Sequence, residues 1–139
     1  MPTAAATILV VDNMAGQRAL VAASLESRGY RVVTAGGGMG AMDRLCFGPA
    51  VDLIVTSLNL PDLDGYHLVR AVRSEPVWHV MPIIVLADAE NGEVCSSPRM
   101  PGADAVMFKP LAPEVLVAEV SRQLARSEAA RRGSTRARA

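Results

Sequence analysis

Five short apolar runs, most of them rich in β-branched residues, recur along this chain and decide what it can fold into. They are Thr7 to Val11 (TILVV), Arg31 to Ala35 (RVVTA), Leu53 to Thr56 (LIVT), Pro82 to Leu86 (PIIVL) and Ala105 to Phe108 (AVMF). Runs of this length suit strands buried on both faces, the arrangement of a parallel sheet covered by helices. Segments with helical spacing separate them. Ala15 to Arg28 places Ala19, Leu20, Ala23 and Leu25 on one stripe, and Gly29 closes it. A weaker helical segment spans Gly40 to Phe47 before Gly48-Pro49, and a third runs from about Asp64 to Ser74 with Leu68, Val69 and Val72 inward. Pro113 opens a last helix through Leu116, Val120 and Leu124, with Glu114 in its first turn. Repeated βα units of this kind imply right-handed crossovers, so the expected fold is α/β: a five-stranded parallel sheet, doubly wound, between two helix layers.

Two segments break the regularity. Between Ala87 and Ala103 a fourth helix is due, yet Gly92, Ser96, Ser97, Pro98, Pro101 and Gly102 fall there. An internal proline costs a helix about 3 kcal/mol, so a short or broken helix is expected. From residue 127 the chain carries Arg131, Arg132, Arg136 and Arg138 among Ala, Ser and Gly without an apolar stripe. We read residues 1–6 as an extension, 7–126 as the domain, and 127–139 as an Arg-rich tail, frayed or disordered, with a basic contact arm as the alternative.

Bulk composition narrows the class of function. The chain has 139 residues, half of them hydrophobic and only 4% aromatic, enough for one domain with an aliphatic core. Fourteen basic and fourteen acidic residues cancel, which gives no footprint for nucleic acid or a membrane surface. Cys46 and Cys95 lack metal-ligand spacing, and no cationic, apolar segment precedes Ile8, so a reducing cytoplasm is the expected location. Lys109 is the single lysine; every other basic residue is arginine. His67 and His79 read as surface or packing residues, and Met39, Met42 and Met81 as fillers of core gaps.

Aligning the strand ends assembles the candidate site. Asp12-Asn13 follow the first strand, Ser57 ends the third, Ala87 follows the fourth and Lys109 the fifth. In an open parallel sheet these carboxyl ends share the rim where ligands bind.

With those residues in place, the chain resembles the receiver domain of bacterial two-component response regulators, which has a flavodoxin-like fold. The resemblance covers roughly residues 7 to 125 and rests on ILVVDN, DLIVTSLNLPDLDG, MPIIVLAD and GADAVMFKP in that order. It implies the strand order 2-1-3-4-5 and a cis bond between Lys109 and Pro110. It also implies Mg²⁺ held by two acids after strand one, a phosphoacceptor aspartate ending strand three, a hydroxyl switch after strand four, an aromatic switch in strand five, and a Lys-Pro pair. Asp12, Lys109 and Pro110 match that pattern. Asn13 stands at the second acid, Ser57 at the phosphoacceptor, Ala87 at the hydroxyl switch and Val106 at the aromatic.

Those departures have chemical consequences. A carboxylate is already an anion at neutral pH, whereas a serine hydroxyl needs a base to become a nucleophile, so Ser57 forms no acyl phosphate. Mg²⁺ needs anionic oxygen ligands, and Asp12 against Lys109 leaves a formal charge of zero. Binding is therefore expected to be weak or absent, with Asp12 and the Asn59 main-chain carbonyl as the only candidates. For Ser57 we expect a hydroxyl bonded to nearby backbone, and for Lys109 a partly buried ion pair with Asp12. The expected function is a pseudo-receiver: no enzyme and no cofactor, but a cytoplasmic module of phosphorelay signalling acting by protein contact. Its partner is a histidine kinase, another regulator, or a second copy through the fourth-helix, fifth-strand and fifth-helix face. An FMN or small-ligand flavodoxin-like protein is the alternative, disfavoured because Asp12-Asn13-Met14-Ala15 is no phosphate-cradling loop and because Trp78 and Tyr66 are not placed to stack on a ring. An enzyme with Ser57 as nucleophile is a third reading, and it lacks a base.

Overall fold

In the computed structural model, which describes residues 5–88 and 101–138, the five apolar runs lie side by side as one sheet. The elements in chain order are β1 (Thr7–Val11), α1 (Ala15–Glu26), β2 (Arg31–Ala35), α2 (Gly38–Phe47), β3 (Leu53–Ser57), α3 (Gly65–Ser74), a 3-10 turn (Pro76–Trp78), β4 (Ile83–Asp88), β5 (Ala105–Lys109) and α4 (Pro113–Arg138). All strand pairs are parallel, in the order β2-β1-β3-β4-β5. This is the doubly wound α/β sheet and the strand order expected.

Alternation along the strands sorts their side chains into two cores, one under each helix layer. Ile8, Val10, Leu53, Val55, Ile84 and Leu86 pack with Leu25 of α1 and Leu116, Val117 and Val120 of α4. Leu9, Val11, Ile54, Ile83 and Val85 pack on the other face with Ala41 of α2 and Leu68, Val69 and Val72 of α3. β3 is therefore buried at every residue from Leu53 to Ser57, and its carboxyl end opens at the centre of the rim.

Several boundaries depart from the sequence reading. The α2 helix starts at Gly38, two residues before the expected Gly40, because a carboxylate from a distant loop caps it. β4 continues past Leu86 to Asp88, which pairs with Lys109. Met39 is 62% exposed instead of filling the core, whereas Met42 and Met81 do pack against the α2/α3 core. The fourth helix expected between strands four and five, with Pro98 and Cys95, lies outside the described residues. From residue 127 the backbone is helical to Arg138. Ala, Arg and Glu are strong helix formers, and the lone Gly133 costs only about 1 kcal/mol, so propensity carries the helix past its last core contact near Leu124.

Candidate functional site

The strand ends bring Ser57, Asp12 and Lys109 together as expected, and the fifth-strand lysine is the hub. Its Nζ lies 2.9 Å from Ser57 Oγ, 2.9 Å from Gln17 Oε1 and 3.4 Å from Asp12 Oδ2. An ammonium has three hydrogens, and here three acceptors from β1, α1 and β3 face them. Lys109 and Asp12 are largely buried, at 17% and 5% side-chain exposure, so the expected ion pair is present. The Lys109-Pro110 bond is cis, as the resemblance implied.

Ser57 is 3% exposed, and its hydroxyl accepts from Lys109, a partner the sequence did not suggest; the neighbouring Thr56 hydroxyl donates to the Ser57 carbonyl. An ammonium directed at that oxygen has no lone pair to take its proton. Lys109 therefore does not serve as the base that the nucleophile reading needs.

A cleft of about 580 Å³ opens above the group, lined by Asp12, Asn13, Gln17, Asn59, Asp64, Asp88 and Lys109 among others. Three carboxylates thus line the cleft with one ammonium, where the expectation counted only Asp12 and Lys109. The apolar run alone ends the strand at Leu86 and leaves Asp88 out of the site; the two-residue period from Leu86 to Asp88 is the signal that places it there. Asn59 Nδ2 donates to Asp88 Oδ2 at 3.2 Å. Gln17 has no sequence signal, because it reaches Lys109 only through the packing of α1.

These donors do not fit a Mg²⁺ ion. Asp12 Oδ1 accepts the Met14 N–H at 2.9 Å and Oδ2 faces Lys109, while the Asp88 carboxylate holds Asn59. Among the described residues no three His, Cys, Asp or Glu side chains converge closely enough to hold a metal. Ala87 is buried at the β4 end, and Val106 packs against the α2/α3 core, so neither offers a group to the cleft. Nor do the aromatics suit a flavin: Tyr66 stands edge-on to His67 and Trp78 packs before β4, both outside the cleft lining.

Two carboxylates shape the loop between β3 and α3. Asp64 caps α3, accepting the His67 N–H at 2.9 Å and facing His67 Nδ1 at 2.8 Å. Asp62 accepts the Gly38 and Met39 N–H groups of α2 and the Leu63 N–H. Backbone hydrogen bonds, from Leu63 first for Asp62 and from His67 for Asp64, hold both carboxyls below the usual 3.8. A folded value below the unfolded one contributes stability that is complete above about pH 4 and is lost as pH falls through the folded value. Urea unfolding between pH 6 and pH 3 is expected to show that loss, and an Asp62→Asn/Asp64→Asn variant to flatten it.

Comparison with known proteins agrees with the geometry. Residues 8–121 match the model of the response regulator receiver domain. A chemotaxis protein CheY homolog of Campylobacter jejuni is 32% identical over 111 residues, covering 78% of this chain and 85% of that protein. The two-component response regulator ORR6 of Oryza sativa is 30% identical over 108 residues, covering 76% of this chain; the match spans 64% of the rice protein. The high-resolution structure of chemotaxis response regulator CheY4 of Vibrio cholerae superimposes with a TM-score of 0.76 at 29% identity, covering 86% of this chain and 98% of that one. No described helix is long and apolar enough to cross a membrane. By sheet order, strand-end site and sequence alike, the chain belongs to the response regulator receiver domains, signalling modules of two-component systems that work with histidine kinases or other regulators.

Proposed function

We propose that this is a receiver that signals by protein contact without aspartyl phosphorylation. One observation carries the reading: the residue at the carboxyl end of β3 is Ser57, and its hydroxyl is held by Lys109 Nζ at 2.9 Å. Phosphoryl transfer to a receiver needs a nucleophile that is anionic at neutral pH and a metal to offset the charge on the incoming group. Ser57 supplies neither an anion nor a metal ligand. The ammonium already satisfies, through Ser57, Gln17 and Asp12, the valences it would otherwise turn toward an added phosphoryl group. Ala87 and Val106, at positions where the family's hydroxyl and aromatic switches stand, leave nothing to report such a group.

The domain then acts as a fixed surface presented to a cytoplasmic partner: a histidine kinase, another regulator or a second copy. We place the contact on β5 and α4; the fourth-helix part of the expected face lies outside the described residues. Incubation with acetyl phosphate and Mg²⁺ is the test. The wild-type protein is expected to gain no hydroxylamine-labile phosphoryl group, and Ser57→Asp to gain one if the missing carboxylate is the cause. A labile adduct on the wild-type chain, at Asp12 or Asp88 for example, overturns the reading.

A further inference from the structure

The cleft has one wall that is tied down more firmly than a surface loop needs to be. The segment from Leu58 to Asp64 supplies Asn59, Leu60, Pro61 and Asp64 to the lining. Loops of this length ordinarily run free over the surface. This one is held at both ends and in the middle. At its start, the Leu58 N–H donates to the Leu86 carbonyl and the Asn59 side chain to Asp88. At its end, the Gly65 N–H donates to the Leu58 carbonyl, and Gly65 lies so close that a Cβ there would stand 2.6 Å from the Ser57 carbonyl oxygen.

The middle tie is the unusual one. Asp62 spreads its two carboxylate oxygens over the first turn of α2, at 2.9 Å from the Gly38 N–H and 3.1 Å from the Met39 N–H. Two glycines permit this approach. A Cβ on Gly37 would stand 2.7 Å from Asp62 Oδ1, and one on Gly38 would collide with the Leu63 carbonyl. The donors and acceptor are 23 and 24 residues apart, so this is a tertiary clasp between a helix and the site's own loop.

We propose that the loop is a strap latched to α2 through Asp62, so that α2 and this wall of the cleft move as one body. Anything that shifts α2 then reshapes the cleft, and anything seated in the cleft is felt at α2. Asp62 is a positioning residue in this device: its side chain is outside the cleft lining and acts through the loop. The inference stands apart from the state of Ser57, because no bond of the latch passes through the Lys109 cluster.

Amide hydrogen exchange on the full chain tests it. In Asp62→Ala, exchange at Gly38 and Met39 is expected to rise about fivefold to tenfold, the factor that loss of a helix cap contributes. The decisive amides are Leu58 and Gly65, which anchor the strap without touching Asp62; they are expected to accelerate in parallel, while Ile54 and Val55 in β3 stay unchanged. A response confined to Gly38 and Met39 would mean a cap and no latch. Equal acceleration at Ile54 and Val55 would mean general destabilisation; either result overturns the proposal. Should Asp62→Ala fail to fold, Asp62→Asn keeps one acceptor oxygen and is expected to give the same pattern at smaller amplitude.

Discussion

Lys109→Met is expected to destabilise the domain by about 3 kcal/mol, because it leaves the Asp12 carboxylate buried without its counter-ion. Asp12 is 3% exposed, and Lys109 is the cation that its Oδ2 faces, at 3.4 Å; the Arg18 guanidinium bonds the Asp12 main-chain carbonyl instead. The same change strips the Ser57 hydroxyl and Gln17 of their donor. Methionine replaces the stem volume but donates nothing, so the loss is electrostatic and not a cavity effect. Adding Asp12→Asn to the Lys109→Met chain removes the orphaned charge, and the double variant is expected to recover part of the loss. Chemical unfolding of the wild type, both single variants and the double variant measures the coupling directly. A double variant no more stable than Lys109→Met alone would show that the pair is incidental. A large coupling would identify the cluster as what staples β1, α1 and β3 to β5 in one arrangement, the arrangement a contact module has to present.

Arg73→Ala is expected to cost a comparable 3 to 4 kcal/mol, far from the cleft. The Arg73 guanidinium gathers five acceptors from two stretches of chain, residues 78–81 and 102–104. It donates to the carbonyls of Gly102 (2.8 Å), Trp78 (3.3 Å), His79 (3.0 Å) and Met81 (2.7 Å), and to Asp104 Oδ2 at 2.8 Å. Asp104 in turn accepts the Ile83 N–H, so the cluster seats the start of β4 against the approach to β5. Gly102 has a φ of 91°, and a Cβ there would press on Val69 and on the Arg73 stem, so only glycine brings its carbonyl this close. Arg73→Lys is expected to recover little, since three ammonium hydrogens on a flexible stem do not span five acceptors set around a plane. Thermal unfolding decides it: Arg73→Lys at wild-type stability would refute the role of the fork.

Lys109 and Arg73 differ in how far the sequence reveals them. Lys109 stands out in the sequence as the sole lysine, before a proline, at the end of an apolar run. Arg73 is one of thirteen arginines, and nothing near it in the chain marks it. Its partners come from the turn after α3 and from residues 29 and 31 positions later, which only folding brings together.

What the sequence alone determined is the architecture and the strand-end cluster. Five buried runs with helical spacing between them admit few packings other than a covered parallel sheet, and the carboxyl ends of parallel strands must share an edge. Asp12, Ser57 and Lys109 follow from that rule without coordinates. Tertiary structure decided what those residues touch. Ser57 accepts a bond from Lys109, Gln17 completes the ammonium's shell, and Asp88 enters the cleft because β4 runs two residues longer than its apolar stretch. It also decided where α2 begins, since the carboxylate that caps it belongs to Asp62, beyond the next strand. Periodicity and propensity are local properties and can be read along a chain, whereas a hydrogen bond across 24 or 92 residues exists only once the layers have closed.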